Sequence, residues 1–195
     1  MDEAESYLLK GKPFIEKINL FSWQFLTCLY LGEICFEKRK YQECQDYYAK
    51  AIWLSELNRS NPSFINLCKL GLAKAKVMKN EKDVDLEPLY RYEDENKVKL
   101  YEGWMQRYMG EIFLNIDDQH MNEAEEWIKK AIEADKKNGM MWHLGRDYAL
   151  YTELFKRKGD QSKAKENLNK AIEILKECGA DGWVERYEKE LAALA

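Results

Sequence analysis

Only two histidines occur in the 195 residues, and neither sits in an arrangement that carries out chemistry. His120 follows Asp117-Asp118-Gln119, the one cluster whose residue types resemble metal ligands, in a stretch that reads as a turn. A bound metal requires more donors at fixed geometry, so a solvated turn is expected there and no metal site. His143, beside Trp142, fits a helix face that packs or lines a groove. The five cysteines, Cys28, Cys35, Cys44, Cys68 and Cys178, show neither paired spacing nor an even count. They read as small core residues in a reducing compartment. Carboxylates are abundant but alternate with lysines three or four residues away, as in Glu123/Glu126/Lys130, which is the pattern of a solvated helix face. There is no glycine-rich phosphate loop, Ser/His/Asp array or Cys-x-x-Cys. The expectation is therefore no catalytic residue, no cofactor and no enzyme.

Composition narrows the classes further. With 46% hydrophobic and 34% charged residues, the chain has material for a sizeable core and too much for disorder. Three prolines and ten glycines suit long helices joined by short turns, and period-2 alternation is hard to find. A net charge of -4 offers no basic field for nucleic acid, and Lys156-Arg157-Lys158 is short and flanked by acids. No stretch approaches the ~20 apolar residues needed to span a bilayer. The start, Met1-Asp2-Glu3-Ala4-Glu5, is acidic where a signal peptide is basic. These features predict a cytoplasmic protein that binds neither membrane nor nucleic acid.

The elements follow from a repeat. Lys50-Ala51-Ile52 returns as Lys130-Ala131-Ile132 and Lys170-Ala171-Ile172, each with a small residue seven positions before the alanine (Cys44, Ala124, Ala164) and Tyr48, Ile128 or Leu168 between. Forty residues before Cys44 stand Ala4 and then Leu8, in a segment shaped like 122–130. A fixed period of this size marks a solenoid of helical hairpins. The full unit from Phe25 to Asn58 places Phe25, Cys28, Leu29, Leu31, Gly32, Cys35 and Phe36 on one helical stripe, answered by Cys44, Tyr47, Tyr48, Ala51, Ile52 and Leu54. Asn61-Pro62 and Gly159-Asp160 read as helix starts and Gly179 as a left-handed stop. A helix is predicted over roughly 86–100, although Pro88 and Tyr90-Arg91-Tyr92 break its pattern. Two extra residues lengthen the turn at 115–119.

Leu31-Gly32, Tyr48, Cys44 and Ala51 fall in the spacing of the tetratricopeptide repeat (TPR) family, and the chain resembles that family along essentially its whole length. The resemblance implies an all-α, right-handed α-α superhelix of about nine helices. Its divisions would be a half repeat or N-terminal cap over 2–20, repeats over 21–58, 61–101 (degenerate), 102–137 and 139–178, and a capping helix over 181–195. The 40-residue period and the ending from Ala164 to Gly179 are similar to the C-terminal TPR regions of large bacterial signalling proteins, in which an ATPase module, often with a class III nucleotide cyclase, precedes the repeats. Since the chain starts in mid-repeat, it is expected to be a fragment of a longer protein or, alternatively, to begin with a true cap.

In TPR proteins the first helices of successive hairpins line a concave groove. The resemblance places Leu29, Glu33 and Phe36, then Cys68, Leu72 and Lys76, then Trp104, Arg107 and Glu111, and last Arg146, Glu153 and Arg157 on that face. Apolar anchors with both signs of charge suit a peptide or partner domain, including another part of the same full-length chain. Glutamates stand where the chaperone-binding subclass needs asparagine and lysine, which argues against a terminal-carboxylate ligand. The resulting expectation is a non-enzymatic interaction or regulatory scaffold module. Two alternatives stand beside it: a structural homodimerisation element built on the uncovered first hairpin, and a small-molecule sensor. Tyr90, Tyr92, Tyr101, Trp104 and Tyr108 form either a docking patch or the filling of the irregular second hairpin, and burial within the monomer decides between them.

Overall fold

A computed structural model describes residues 2–81 and 84–194. Among the described residues there is no strand; there are ten α-helices and one short 3-10 turn, one α-helix more than expected. They are α1 (Asp2–Lys17), α2 (Phe21–Glu37), α3 (Tyr41–Leu57), α4 (Pro62–Met78), α5 (Glu87–Asp94), α6 (Lys99–Ile116), α7 (Met121–Asn138), α8 (Met141–Arg157), α9 (Gln161–Glu177) and α10 (Asp181–Ala193). Consecutive helices pack as pairs, and the chain divides into two compact units, Met1–Lys97 and Val98–Ala195. No described helix is long and apolar enough to cross a membrane.

The repeated small residues do the work of close packing. Cys44, Ala51, Ala124, Ala131, Ala164 and Ala171 are all fully buried, as are Tyr48, Ile128 and Leu168 between them. In the first unit the Tyr48 ring lies between two glycines, so a Cβ on Gly32 would come within 3.2 Å of it and one on Gly71 within 2.5 Å. The glycines of α2 and α4 thus create the slot in which α3 seats its aromatic side chain. In the second unit Gly110 does the same for Ile128, whose Cγ1 would lie 2.8 Å from an added Cβ. The second unit closes with Val184 and Tyr187 of α10 packed over Leu168, Ile172 and Leu175 of α9.

Caps act where the sequence places them. Asn61 Oδ1 accepts a hydrogen bond from Ser63 N at 2.9 Å, and Asp160 Oδ1 accepts from Lys163 N at 3.0 Å. Gly179 has φ +66°, the left-handed stop. The helix expected over 86–100 differs: α5 ends at Asp94 and α6 begins at Lys99. Side chains from α4 draw the intervening backbone aside. Ser63 Oγ accepts from Lys97 N at 3.0 Å, and Asn66 Nδ2 donates to Tyr92 O at 3.4 Å and to Glu95 at 3.2 Å.

Candidate functional site

In the second unit, one guanidinium organises the side on which α6 and α8 meet. Arg107, on α6, is 1% exposed. Its Nη1 donates to Asp147 Oδ1 at 3.1 Å, and Nη1 and Nη2 both lie 3.2 Å from His143 Nδ1. A guanidinium only donates, so Nδ1 accepts and the His143 ring proton sits on Nε2. Glu111 Oε1 lies 3.9 Å from Arg107 Nε, one helical turn on. Asp135, from α7, is buried against the same group. Among the described residues no donor reaches either oxygen of Asp135 or Oδ2 of Asp147. Burial raises the pKa of both carboxyls, most strongly for Asp147; Arg107 opposes the rise in each case, and the two acids act on each other. Gly103 makes the arrangement possible, because a Cβ there would collide with the Asp135 carboxylate.

An aromatic surface runs from this buried group towards α10. The ring of Trp104 lies 4.8 Å from His143, His143 lies 5.0 Å from Trp142, and Trp142 meets Trp183 edge-on at 6.3 Å. The Arg146 guanidinium stands 4.1 Å above the Trp183 ring and 5.4 Å from Trp142. Trp142 is 37% exposed, and Trp183 is half-buried. The result is a partly open aromatic surface carrying a cation, held in place by buried ion pairs beneath it. It is built to stack and to pair charge.

In the first unit, Glu33 of α2 accepts hydrogen bonds from the Tyr48 hydroxyl and from Lys74 Nζ, the latter at 3.3 Å. Lys74, 1% exposed, also lies 3.7 Å from the centre of the Phe36 ring. Three helices therefore share one buried charge pair.

Several residues expected to line a groove are core residues instead. Leu29 is 1% exposed and Cys68 is fully buried. Arg107, Trp104 and Glu111 are buried by the cluster just described, and Glu33 is committed to Tyr48 and Lys74. Arg146 is only 8% exposed, packed against the Trp183 and Trp142 rings. Arg157 remains exposed, donating to Leu114 O and, at 2.6 Å, to Asn115 Oδ1; Glu153 accepts from Lys156 at 2.7 Å. Phe36, Leu72 and Lys76 are half-buried. The structure thus brings Trp104, Arg107, Glu111 and Arg146 to one place in the second unit. Sequence reasoning missed Asp135, Asp147 and Trp183 as members of that place. The 40 residues that separate Arg107 from Asp147 match the repeat and are the signal that could have found Asp147; Trp142 and Trp183 are 41 apart, one off that period, and no spacing marks Asp135.

The aromatic run also divides. Trp104 and Tyr108 are buried in the second unit, whereas Tyr90, 40% exposed, and Tyr92 belong to the first, so they do not form one continuous docking patch within either unit. The Asp117–His120 cluster is a capped turn: Asp117 Oδ1 accepts from the backbone of Gln119 and His120 and lies 2.7 Å from His120 Nδ1. The bond to His120 is the main reason its carboxyl titrates below the usual range. Among the described residues no group of three or more His, Cys, Asp or Glu is placed to hold a metal ion. Four cysteines are buried and Cys178 is exposed; burial pushes the Cys35 thiol up to about 11 and raises Cys28 and Cys68 as well.

No protein-family model matches the chain, and no curated protein matches it. Among solved structures it is similar to BtubC (BKLC) from P. vanneervenii, at 12% identity and a TM-score of 0.57, over 98% of this chain and 88% of that one. At that identity the likeness is one of fold.

Proposed function

We propose that the chain is a TPR-like, non-enzymatic interaction module, whose second unit holds a peptide or partner domain on the surface formed by Trp142, Trp183 and Arg146. The observation that carries this reading is the half-open tryptophan pair with an arginine packed against it, beside the buried Arg107–Asp147 ion pair. Rigid aromatic and arginine anchors supply much of the energy at protein interfaces. Glu153 and Arg157 lie about two and three turns beyond Arg146 along α8 and supply polar rim contacts. A cytoplasmic regulatory role within a larger bacterial signalling protein fits the repeat pattern and the heavy but balanced charge.

Selection of displayed random peptides against the chain tests the reading. Enriched peptides should lose roughly 30-fold or more in affinity on Trp142→Ala, while far-UV circular dichroism stays unchanged because that side chain is partly exposed. A selection that enriches nothing, or peptides indifferent to Trp142→Ala, would refute it.

A further inference from the structure

The first helix leaves uncovered a face that the second unit shows to be a helix seat. Ala4 and Ala124 lie 120 residues apart in matching segments, as do Phe21 and Met141, the first residues of α2 and α8. In this register α1 corresponds to α7. On the α7–α8 side, Trp127 and Ala134 are buried, Asn138 Nδ2 donates to Lys99 O at 3.1 Å and to Glu102 at 3.2 Å, and His143 meets Arg107. Asn138 and His143 therefore face α6, the preceding helix. The corresponding residues of the first unit are Tyr7, Phe14, Ile18 and Trp23, and they are 67%, 72%, 62% and 58% exposed. Four positions that are covered or in contact with a neighbouring helix in the second unit thus carry large apolar side chains in the open. None of the residues of α1 is buried.

We propose that this face is occupied by a second copy of the chain, with the two α1 helices packed antiparallel about a two-fold axis. Phe14 and Ile18, seven and eleven residues beyond Tyr7, lie about 20° to either side of it around the helix, and the three form a single seam. Antiparallel pairing centred between Gly11 and Phe14 sets Tyr7 against the second copy's Ile18. It also sets Phe14 over the second copy's Gly11, where nothing lies within 4 Å of a Cβ position. A large side chain meets an empty place, twice, as a self-complementary interface requires. Glu3 and Lys17 lie on the same flank of the seam, and the antiparallel arrangement brings each towards the other's counterpart. The four side chains expose on the order of 500 Å² of apolar surface. With a polar rim this reaches the roughly 800 Å² per partner of a standard stable interface, a little over half of it non-polar. The inference does not depend on the peptide-binding surface of the second unit.

Sedimentation equilibrium across the micromolar range tests it on the full chain. The wild type should be a dimer. Phe14→Glu should weaken dimerisation at least about 30-fold with unchanged helicity, since Phe14 is exposed in the monomer. In a Cys178→Ser background, the Tyr7→Cys/Ile18→Cys pair should give a disulfide-linked dimer on mild oxidation; the two positions are too far apart on one helix to bridge internally. A wild type that stays monomeric overturns the proposal and leaves the face to a helix from another source. A dimer that ignores Phe14→Glu, or one in which the cysteine pair does not cross-link, overturns it equally.

Discussion

The two units solve the same problem with different residues. In the first, the chain turns between helices at Asn19, Arg39, Arg59 and Asn80, all with φ between +50° and +62°. In the second it turns at Gly139, Gly159 and Gly179, with φ between +66° and +75°. Positions 19, 39 and 59, like 139, 159 and 179, are spaced by 20 residues, one helix plus its turn. The left-handed residue is thus dictated by hairpin geometry and accepted by whatever side chain stands there. The buried charges differ in the same way. In the first unit Lys74 is buried, but its partner Glu33 keeps a path to solvent, 15% exposed, and Tyr48 donates to the same carboxylate. Arg107 and Asp147 of the second are almost fully enclosed, with Asp135 crowded beside them. Packing tolerates variation in the turn and in the partner, provided that each buried charge meets an opposite one.

Removing the cation from each cluster gives the largest expected separation between the units. Arg107→Met leaves Asp147 and Asp135 with no compensating charge in an enclosed site and should destabilise the second unit by about 3–5 kcal/mol. Lys74→Met leaves Glu33 a hydroxyl donor and a path to solvent, so the loss in the first unit should be about 1–2 kcal/mol. Native-state hydrogen exchange, read on α8 and on α3, reports the two losses separately. Equal losses would mean that enclosure does not distinguish the clusters.

Acidity sharpens the same contrast. Burial raises the Asp135 and Asp147 pKa values in the folded state, so the fold binds protons that the unfolded chain releases above an ordinary aspartate value of about 3.9. Their contribution is full below that value and falls as the pH rises through the raised folded pKa. Asp135→Asn removes one of the two crowded carboxyls and leaves in its place an amide of the same shape that can donate to Asp147. The variant should be at least as stable as wild type at neutral pH and should lack that decline on the alkaline side. Glu125 runs the other way. Hydrogen bonds from Lys129 and then Lys158 hold its pKa at about 2, so its contribution is present above the ordinary glutamate value and is lost as the pH falls towards 2. Urea unfolding of the wild type and Asp135→Asn between pH 4 and pH 8, roughly the window between those two effects, isolates the aspartate pair. A wild-type slope unchanged by the substitution would show that the pair does not share a proton.

Much of the helical architecture was legible because small residues recur at a fixed period, and only a small residue lets two helices approach as closely as α2, α3 and α4 do around Tyr48. The turn after α5 was not legible: Ser63 and Asn66, more than 25 residues away in sequence, capture its backbone. The groove residues were half legible. The period gave Arg107, Trp104 and Arg146 a helix face, but their depth was set by tertiary neighbours. Asp147 and Asp135 neutralise the arginine, and Gly103 makes room for a carboxylate where any side chain would block it. Periodicity gives the face of a helix on which a residue lies; whether that face ends at solvent depends on what the next hairpin brings.

The turns offer the smallest and cleanest test of the comparison. A left-handed conformation costs an ordinary L-residue about 1–2 kcal/mol, and glycine escapes this at the expense of about 0.4–1 kcal/mol of extra freedom lost from the unfolded chain. Exchanging the two solutions should therefore give opposite and unequal results. Gly159→Arg, in open space where a Cβ meets nothing within 4 Å, should destabilise the second unit by about 1 kcal/mol through backbone strain alone. Arg39→Gly should stabilise the first by several tenths of a kcal/mol, because strain is removed and part of the gain is returned to the flexible unfolded chain. Urea midpoints with unchanged slopes would report both. Stabilisation by Gly159→Arg would mean that the second unit's turns were never strained in the sense that their φ values imply.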